Sequence, residues 1–117
     1  MKVIHCEQVE AAPVTFEGAS NCCMRCLIGP DDKAPSFSMR QFELAPGGHT
    51  PKHAHAHEHE VFVLEGKGYI RTEEGNQRVQ AGDAALILPD EPHSFVNDGP
   101  SPLRFLCMIP VEQVCCR

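Results

Sequence analysis

Ten prolines and nine glycines interrupt the 117-residue chain so often that no helix of ordinary length fits between them. What lies between the breaks alternates with period two, the repeat of a strand with one face buried. Strands are predicted at Cys26–Ile28, Ser36–Leu44, Thr50–His55, His59–Leu64, Gly68–Glu73, Gln77–Gln80, Ala84–Leu88, Ser94–Val96 and Leu103–Ile109. The turns between them fall at Gly29-Pro30-Asp31-Asp32, Pro46-Gly47-Gly48, Gly66, Glu74-Gly75-Asn76, Gly82-Asp83, Pro89-Asp90-Glu91-Pro92 and Asn97-Asp98-Gly99-Pro100. Eight or nine short strands at such spacing predict an all-β fold, an antiparallel barrel or sandwich of jelly-roll type, nearly without helix.

The length fits one domain on a prior of roughly 100–200 residues per domain, and a core of that size forms without disulfide staples. Ten basic against sixteen acidic residues leave a net charge of −6, and the basic residues are scattered, which argues against nucleic acid as a partner. The longest wholly aliphatic stretch, Ala84 to Leu88, is far too short to span a membrane, and the N-terminal segment lacks the apolar run of a signal peptide. A soluble, cytoplasmic protein is expected. Seven cysteines are an odd number, and the adjacent pairs Cys22-Cys23 and Cys115-Cys116 are poorly placed for ordinary bridges, so reduced thiols are expected. Cys23-x2-Cys26 has the spacing of half a zinc knuckle, for which Cys115-Cys116 would have to supply the rest. Several strands are apolar on both faces: Val61 and Val63 alternate with Phe62 and Leu64, and Leu86 and Leu88 flank Ile87. One face lines the core and the other needs a cover, most simply a second copy of the chain, so a homodimer is expected.

Five of the seven histidines lie between His49 and His59. His53 and His55 are two apart, so on an extended segment their rings leave the same face. A turn over Ala56–Glu58 would bring His59 alongside, and His93, just after the Pro-Asp-Glu-Pro turn, would return to the same pocket. Neutral imidazoles bind a divalent first-row ion at about 2.0–2.2 Å, and four of them leave open positions on an octahedral ion. His53, His55, His59 and His93 are therefore the candidate metal ligands, against the alternative of a solvated polar stretch that binds metal adventitiously. Imidazole suits manganese, iron, nickel, zinc and copper alike, so one divalent transition metal is expected without its identity. His57 falls in the predicted turn and is expected to be solvated or to sit behind the ligands.

These spacings resemble the two motifs of the cupin superfamily, G-x5-H-x-H-x3,4-E-x6-G and G-x5-P-x-G-x2-H-x3-N. Gly47, His53, His55 and Gly66 match the first, and Gly82, His93 and Asn97 match the second. The resemblance implies a single small cupin domain over residues 1–117, its motif-bearing jelly-roll barrel, a double-stranded β-helix, spanning about 38–110 and N-terminal strands lying within 1–37. The chain departs from the family at the glutamate ligand, where His59 stands; Glu60 fits the longer first gap but misses the gap to Gly66, and adjacent strand residues face opposite ways. Leu88 and Asp90 stand where the second motif has proline and glycine. The phrase His-Glu-His-Glu-Val-Phe-Val-Leu-Glu-Gly is similar to a subgroup of small cupins that holds its metal, often manganese, with four histidines, which implies a ligand set of zero charge and an electropositive ion that favours anionic or oxygen-derived ligands.

On the last strand Phe105, Cys107 and Ile109 share a face, and in similar four-histidine cupins that face looks towards the metal. Cys107 then reads as a small buried thiol in an apolar cavity. Arg40 shares parity with Phe42 and Leu44, where its guanidinium needs either a buried carboxylate or the anionic group of a substrate. With no carboxylate expected at the metal, redox or Lewis-acid chemistry is favoured over carboxylate-driven isomerisation. The functional expectation is a metal-dependent oxygenase-type enzyme for a small organic substrate, phenolic or alkene, with Arg40, Cys107, Phe105 and Ile109 lining the site. The alternative is a non-catalytic metal-dependent module that binds or senses a small molecule.

Overall fold

The computed structural model describes residues 1–112, so Cys115 and Cys116, and with them half of the zinc-knuckle reading, lie outside the described residues. Nine strands are formed: β1 (Ala12–Pro13), β2 (Ser20–Ile28), β3 (Phe37–His49), β4 (His59–Glu65), β5 (Lys67–Thr72), β6 (Gly75–Gln80), β7 (Ala84–Ile87), β8 (His93–Val96) and β9 (Leu103–Pro110). Among the described residues the only helical pieces are single 3₁₀ turns at Cys6–Gln8 and Pro30–Asp32. No described helix is long and apolar enough to cross a membrane.

All ladders are antiparallel and run in the order β6-β5-β8-β3-β9-β4-β7, with β2 added to β3 and β1 to β2. The curl depends on β3. Its first part, Phe37 to Leu44, pairs with β9 and its far end, His49, with Val96 of β8, while β2 follows the other edge as far as the Ser20–His49 pair. The turn expected at Pro46-Gly47-Gly48 is therefore not a chain reversal but the corner at which one strand passes from one wall to the other. Glycine is required there: Gly47 has φ +82°, and a Cβ on Gly48 would lie 2.6 Å from the Asn21 carbonyl oxygen.

The expected strand at Thr50–His55 is likewise not regular. Its segment does run beside β8, but Pro51 has no N–H to donate and the Thr50 hydroxyl takes the ladder position by accepting from Phe95 N at 2.8 Å. The expected Cys26–Ile28 strand is longer, Ser20–Ile28, because pairing along β3 recruits the polar start of β2 that carries no strand signal of its own.

Burial follows the alternation. Every second residue of β9, from Leu103 through Phe105 and Cys107 to Ile109, is buried, with the residues between them half-exposed. Val61 and Val63 point inwards, while Phe62, Leu64, Leu86 and Leu88 stand 42–56% exposed on the outside. Phe105 stacks between Phe95 at 4.2 Å and Phe42 at 5.3 Å. Asn97 is fully buried and fully bonded: its amide donates to the Leu44 and Ser101 carbonyls, each at 2.9 Å, and its oxygen accepts from Gly99 N.

Candidate metal centre and its wall

His59 opens β4 and His93 opens β8, so both rings sit where a strand enters the barrel. The segment carrying His53 is tied to β8 by two backbone bonds, His53 N to His93 O at 3.1 Å and His93 N to His53 O at 3.0 Å. That bridge returns His93 to the main histidine run, and a bond from Asp90 N to the His55 carbonyl holds the next turn. Ring centroids are 4.1 Å apart for His53 and His55, 5.4 Å for His53 and His93, 5.1 Å for His55 and His59, and 5.0 Å for His59 and His93. His57, expected to be solvated or behind the ligands, is half-buried and joins the group, its ring 4.9 Å from both His55 and His59.

Burial sets the protonation of this cluster. His59 is pushed down to about 3, first by loss of hydration and then by the neighbouring charges of His93 and Arg40. His55 is pushed down to about 4, again by burial first and then by His53 and the other rings. His53 is lowered chiefly by burial, and so is His93, whose shift the Glu91 carbonyl and charge partly oppose. The rings are therefore neutral at neutral pH and carry free lone pairs. His93 Nδ1 lies 2.9 Å from the Glu91 carbonyl oxygen, which can only accept, so the proton is on Nδ1 and Nε2 is the free donor atom.

Among the described residues no three histidine, cysteine or acidic side chains have donor atoms gathered as tightly as an ion would hold them. The residue chemistry nonetheless fits a metal: the rings are neutral and adjacent, and His59 Nε2 is buried without a hydrogen-bond partner. His53, His55, His59 and His93 are the side chains that would hold it. Glu60 is exposed on the outer side of β4 and does not face the rings.

The wall beside His59 differs from expectation in one respect. Cys107 is buried, but its sulfur is not in apolar surroundings: it lies 3.1 Å from His59 Nδ1 and accepts from Arg40 Nη2 at 3.0 Å. Arg40, 4% exposed, packs its guanidinium 5.0 Å from the Phe42 ring centre and forms no ion pair among the described residues. Phe105 and Ile109 flank Cys107 on the same buried face, and Ser38, opposite Ile109 and unnoticed from sequence, has a buried hydroxyl without a partner. Arg40 and Ser38 share strand parity, which is the signal that would have found it.

A cleft of about 450 Å³ opens where the two ends of the sheet, β6 and β7, face each other, lined in part by Ile70, Val79, Ile87, Glu91 and His93. It reaches the histidine end of the barrel. The zinc-knuckle spacing does not close on itself: Cys23 pairs beside Glu43 and Cys26 beside Arg40, residues of opposite parity, so the two thiols leave opposite faces of β2.

A curled antiparallel sheet of this strand order, with a histidine cluster at its mouth, is a jelly-roll β-barrel. The cupin domain model matches residues 40–109, and the chain belongs to that family. It is similar to the polyketide cyclase RemF from Streptomyces resistomycificus, whose structure superposes with a TM-score of 0.90 at 37% identity, covering 95% of this chain and 80% of that one. It is 31% identical over 110 residues to the uncharacterised protein MJ1618 of Methanocaldococcus jannaschii, covering 92% of this chain and 86% of that protein. It is also 33% identical over 75 residues to the 1-methylthio-D-xylulose 5-phosphate methylsulfurylase of Rhodospirillum rubrum. That match takes in 64% of this chain and spans about half, 48%, of the relative.

Proposed function

We propose that this cupin is a metal-dependent enzyme of oxygenase type for a small organic substrate, phenolic or alkene, with one divalent transition ion (Mn, Fe, Ni, Zn or Cu) on His53, His55, His59 and His93. The observation that carries this reading is a set of adjacent, neutral imidazoles at the barrel mouth with no buried carboxylate among them. Such an ion, once bound, supplies a Lewis acid and, if redox-active, an electron-transfer centre. The chain's own residues do the rest: Phe105 and Ile109 exclude water from the wall, the Glu91 carbonyl fixes the His93 tautomer, and Cys107 links His59 to Arg40. Cys6, Cys22, Cys23 and Cys26 form no disulfide among the described residues, which supports a reducing, cytoplasmic setting.

A second reading is favoured by the 37% identity to a polyketide cyclase: redox-neutral ring closure in which the site polarises a carbonyl. Iron- or manganese-loaded protein incubated with catechols and phenylpropanoids, with and without air, separates the two. Oxygen uptake with product only in air supports the oxygenase; an isomeric product of poly-β-keto substrates formed equally without air supports ring closure. Stoichiometric metal with binding but no turnover of either panel leaves the non-catalytic module. His93→Ala is expected to lose the bound metal while keeping the fold, and metal retained at full stoichiometry would overturn the ligand set.

The outer face of β4, β7 and β9 supports a homodimer. Phe62, Leu86, Leu106 and Met108 line a groove of about 480 Å³ there, with Leu86 56% exposed. Sedimentation of the wild type as a dimer and of Leu86→Glu as a monomer is the expected outcome; two equal monomers would refute it.

A further inference from the structure

The inner face of β3 carries two polar atoms that have no hydrogen-bond partner among the described residues. Arg40 Nε and Ser38 Oγ are both buried without hydrogen-bond partners, in residues 4% and 1% exposed. They lie two positions apart on one strand, so both look into the barrel, about 7 Å apart along the backbone. Their cross-strand neighbours on β9 are Cys107 and Ile109. The guanidinium is held in place on two sides, by the Cys107 sulfur at 3.0 Å through Nη2 and by the Phe42 ring, and neither contact is a hydrogen bond to its Nε.

Charge accounting at this end of the barrel points the same way. The buried polar and charged residues are Ser38, Arg40, Gln41, Thr50, His59, His93, Ser94 and Asn97, with no aspartate or glutamate among them. Glu91 acts on His93, and one oxygen of its carboxylate accepts from Leu88 N at 3.1 Å. A divalent ion held by neutral rings would therefore sit beside a second cation with no buried aspartate or glutamate among the described residues to offset either. An incoming anion would be favoured there.

We propose that Arg40 and Ser38 form the anion-recognition subsite of this barrel, and that its substrate is an organic carboxylate whose charged end is held by Arg40 Nε and Ser38 Oγ. This rests on the reading of the histidines as a metal centre only in part, since the subsite's donors belong to β3 and not to the ring cluster. It also gives Cys107 a positioning role: its sulfur fixes one guanidinium nitrogen and leaves Nε for the ligand.

The test is calorimetric binding of benzoate and of its neutral isostere benzamide to the full chain, in metal-free and zinc-loaded forms, with zinc content measured separately. Benzoate is expected to bind zinc-loaded wild type at least about tenfold more tightly than benzamide. Arg40→Met is expected to bring benzoate down to the benzamide level without moving benzamide, Ser38→Ala to weaken benzoate only several-fold, and Arg40→Lys to keep part of the preference. The lysine variant also keeps the test open if the methionine variant does not fold. Equal binding of the two probes to the wild type, no binding of either, or benzoate affinity untouched in both Arg40 variants would overturn the proposal. The two readings fail separately: one zinc per chain with no benzoate preference sinks the subsite alone, and an Arg40-dependent preference in protein that holds no zinc sinks the metal centre alone.

Discussion

The two ends of the barrel interior are built from the same strands to opposite specifications. At the closed end Leu44, Val63, Leu103 and Phe105 are at most 1% exposed, and the one buried polar side chain that joins them, Asn97, has both ends of its amide bonded. At the histidine end, a few residues along β3, β4, β8 and β9, lie the unpartnered Ser38 Oγ, Arg40 Nε and His59 Nε2. One end holds the fold together and the other holds groups in reserve for something that binds. Polar atoms left unsatisfied in a native interior cost stability, so these three mark where the chain gives up stability for chemistry, whereas Gln41 Oε1, also buried without a partner, lies on the opposite face of β3.

The largest expected effect tests the closed end. Phe105→Ala removes the middle ring of the Phe42, Phe105 and Phe95 stack and should cost about 3–5 kcal/mol of folding stability, read from urea unfolding. The surviving folded protein should bind metal with unchanged stoichiometry. A loss well under 1 kcal/mol would show that the stack is not what secures the barrel.

An intermediate effect tests the histidine end through pH. In the unfolded chain imidazoles take up protons near pH ~6.5. In the folded metal-free protein His55 refuses them down to about 4 and His59 down to about 3. Between these limits the unfolded state binds more protons, so stability is fully present above pH ~6.5 and is lost progressively as the pH falls towards 3. Urea midpoints of the metal-free protein should fall steadily from pH 7 to pH 4, and the slope should shrink in His59→Gln. A flat profile would mean that the rings are hydrated as freely in the fold as out of it.

How much of this contrast was legible in the sequence follows from what each feature depends on. Strand parity is local, so alternation alone divided β9, β4 and β7 into two faces each, while the inward direction of Phe105, Cys107 and Ile109 came from the resemblance to four-histidine cupins and the outward exposure of Phe62 and Leu86 from the structure. The histidine run was readable because His53 and His55 are close in sequence and the motif glycines fix the turns around them. The turn expected at Pro46-Gly47-Gly48 is a corner within one strand; a strand that changes partners looks locally like one that ends. The regular strand expected at Thr50–His55 failed for a side-chain reason, the Thr50 hydroxyl standing in for a backbone acceptor. The surroundings of Cys107 were beyond the sequence altogether, since the Arg40 contact spans 67 positions and the His59 contact 48.

The smallest expected change in stability is also the sharpest test of the contrast. If Arg40 belonged to the architecture, removing it would resemble removing Phe105. A buried guanidinium without a carboxylate partner instead carries a desolvation cost that its contacts with Cys107 and Phe42 only partly offset. Arg40→Met keeps most of the side-chain volume and removes the charge, so folding stability should stay within about 1 kcal/mol of wild type or rise. The same substitution in the metal-free protein should also reduce the repulsion felt by His53, His55 and His59, whose protonation Arg40 opposes, and so flatten the acid side of the stability profile. A loss of several kcal/mol in urea unfolding would place Arg40 with the closed end, as a group the barrel needs in order to fold. Unchanged or greater stability places it among residues kept for what they bind, at a position where a hydrophobe would have packed as well.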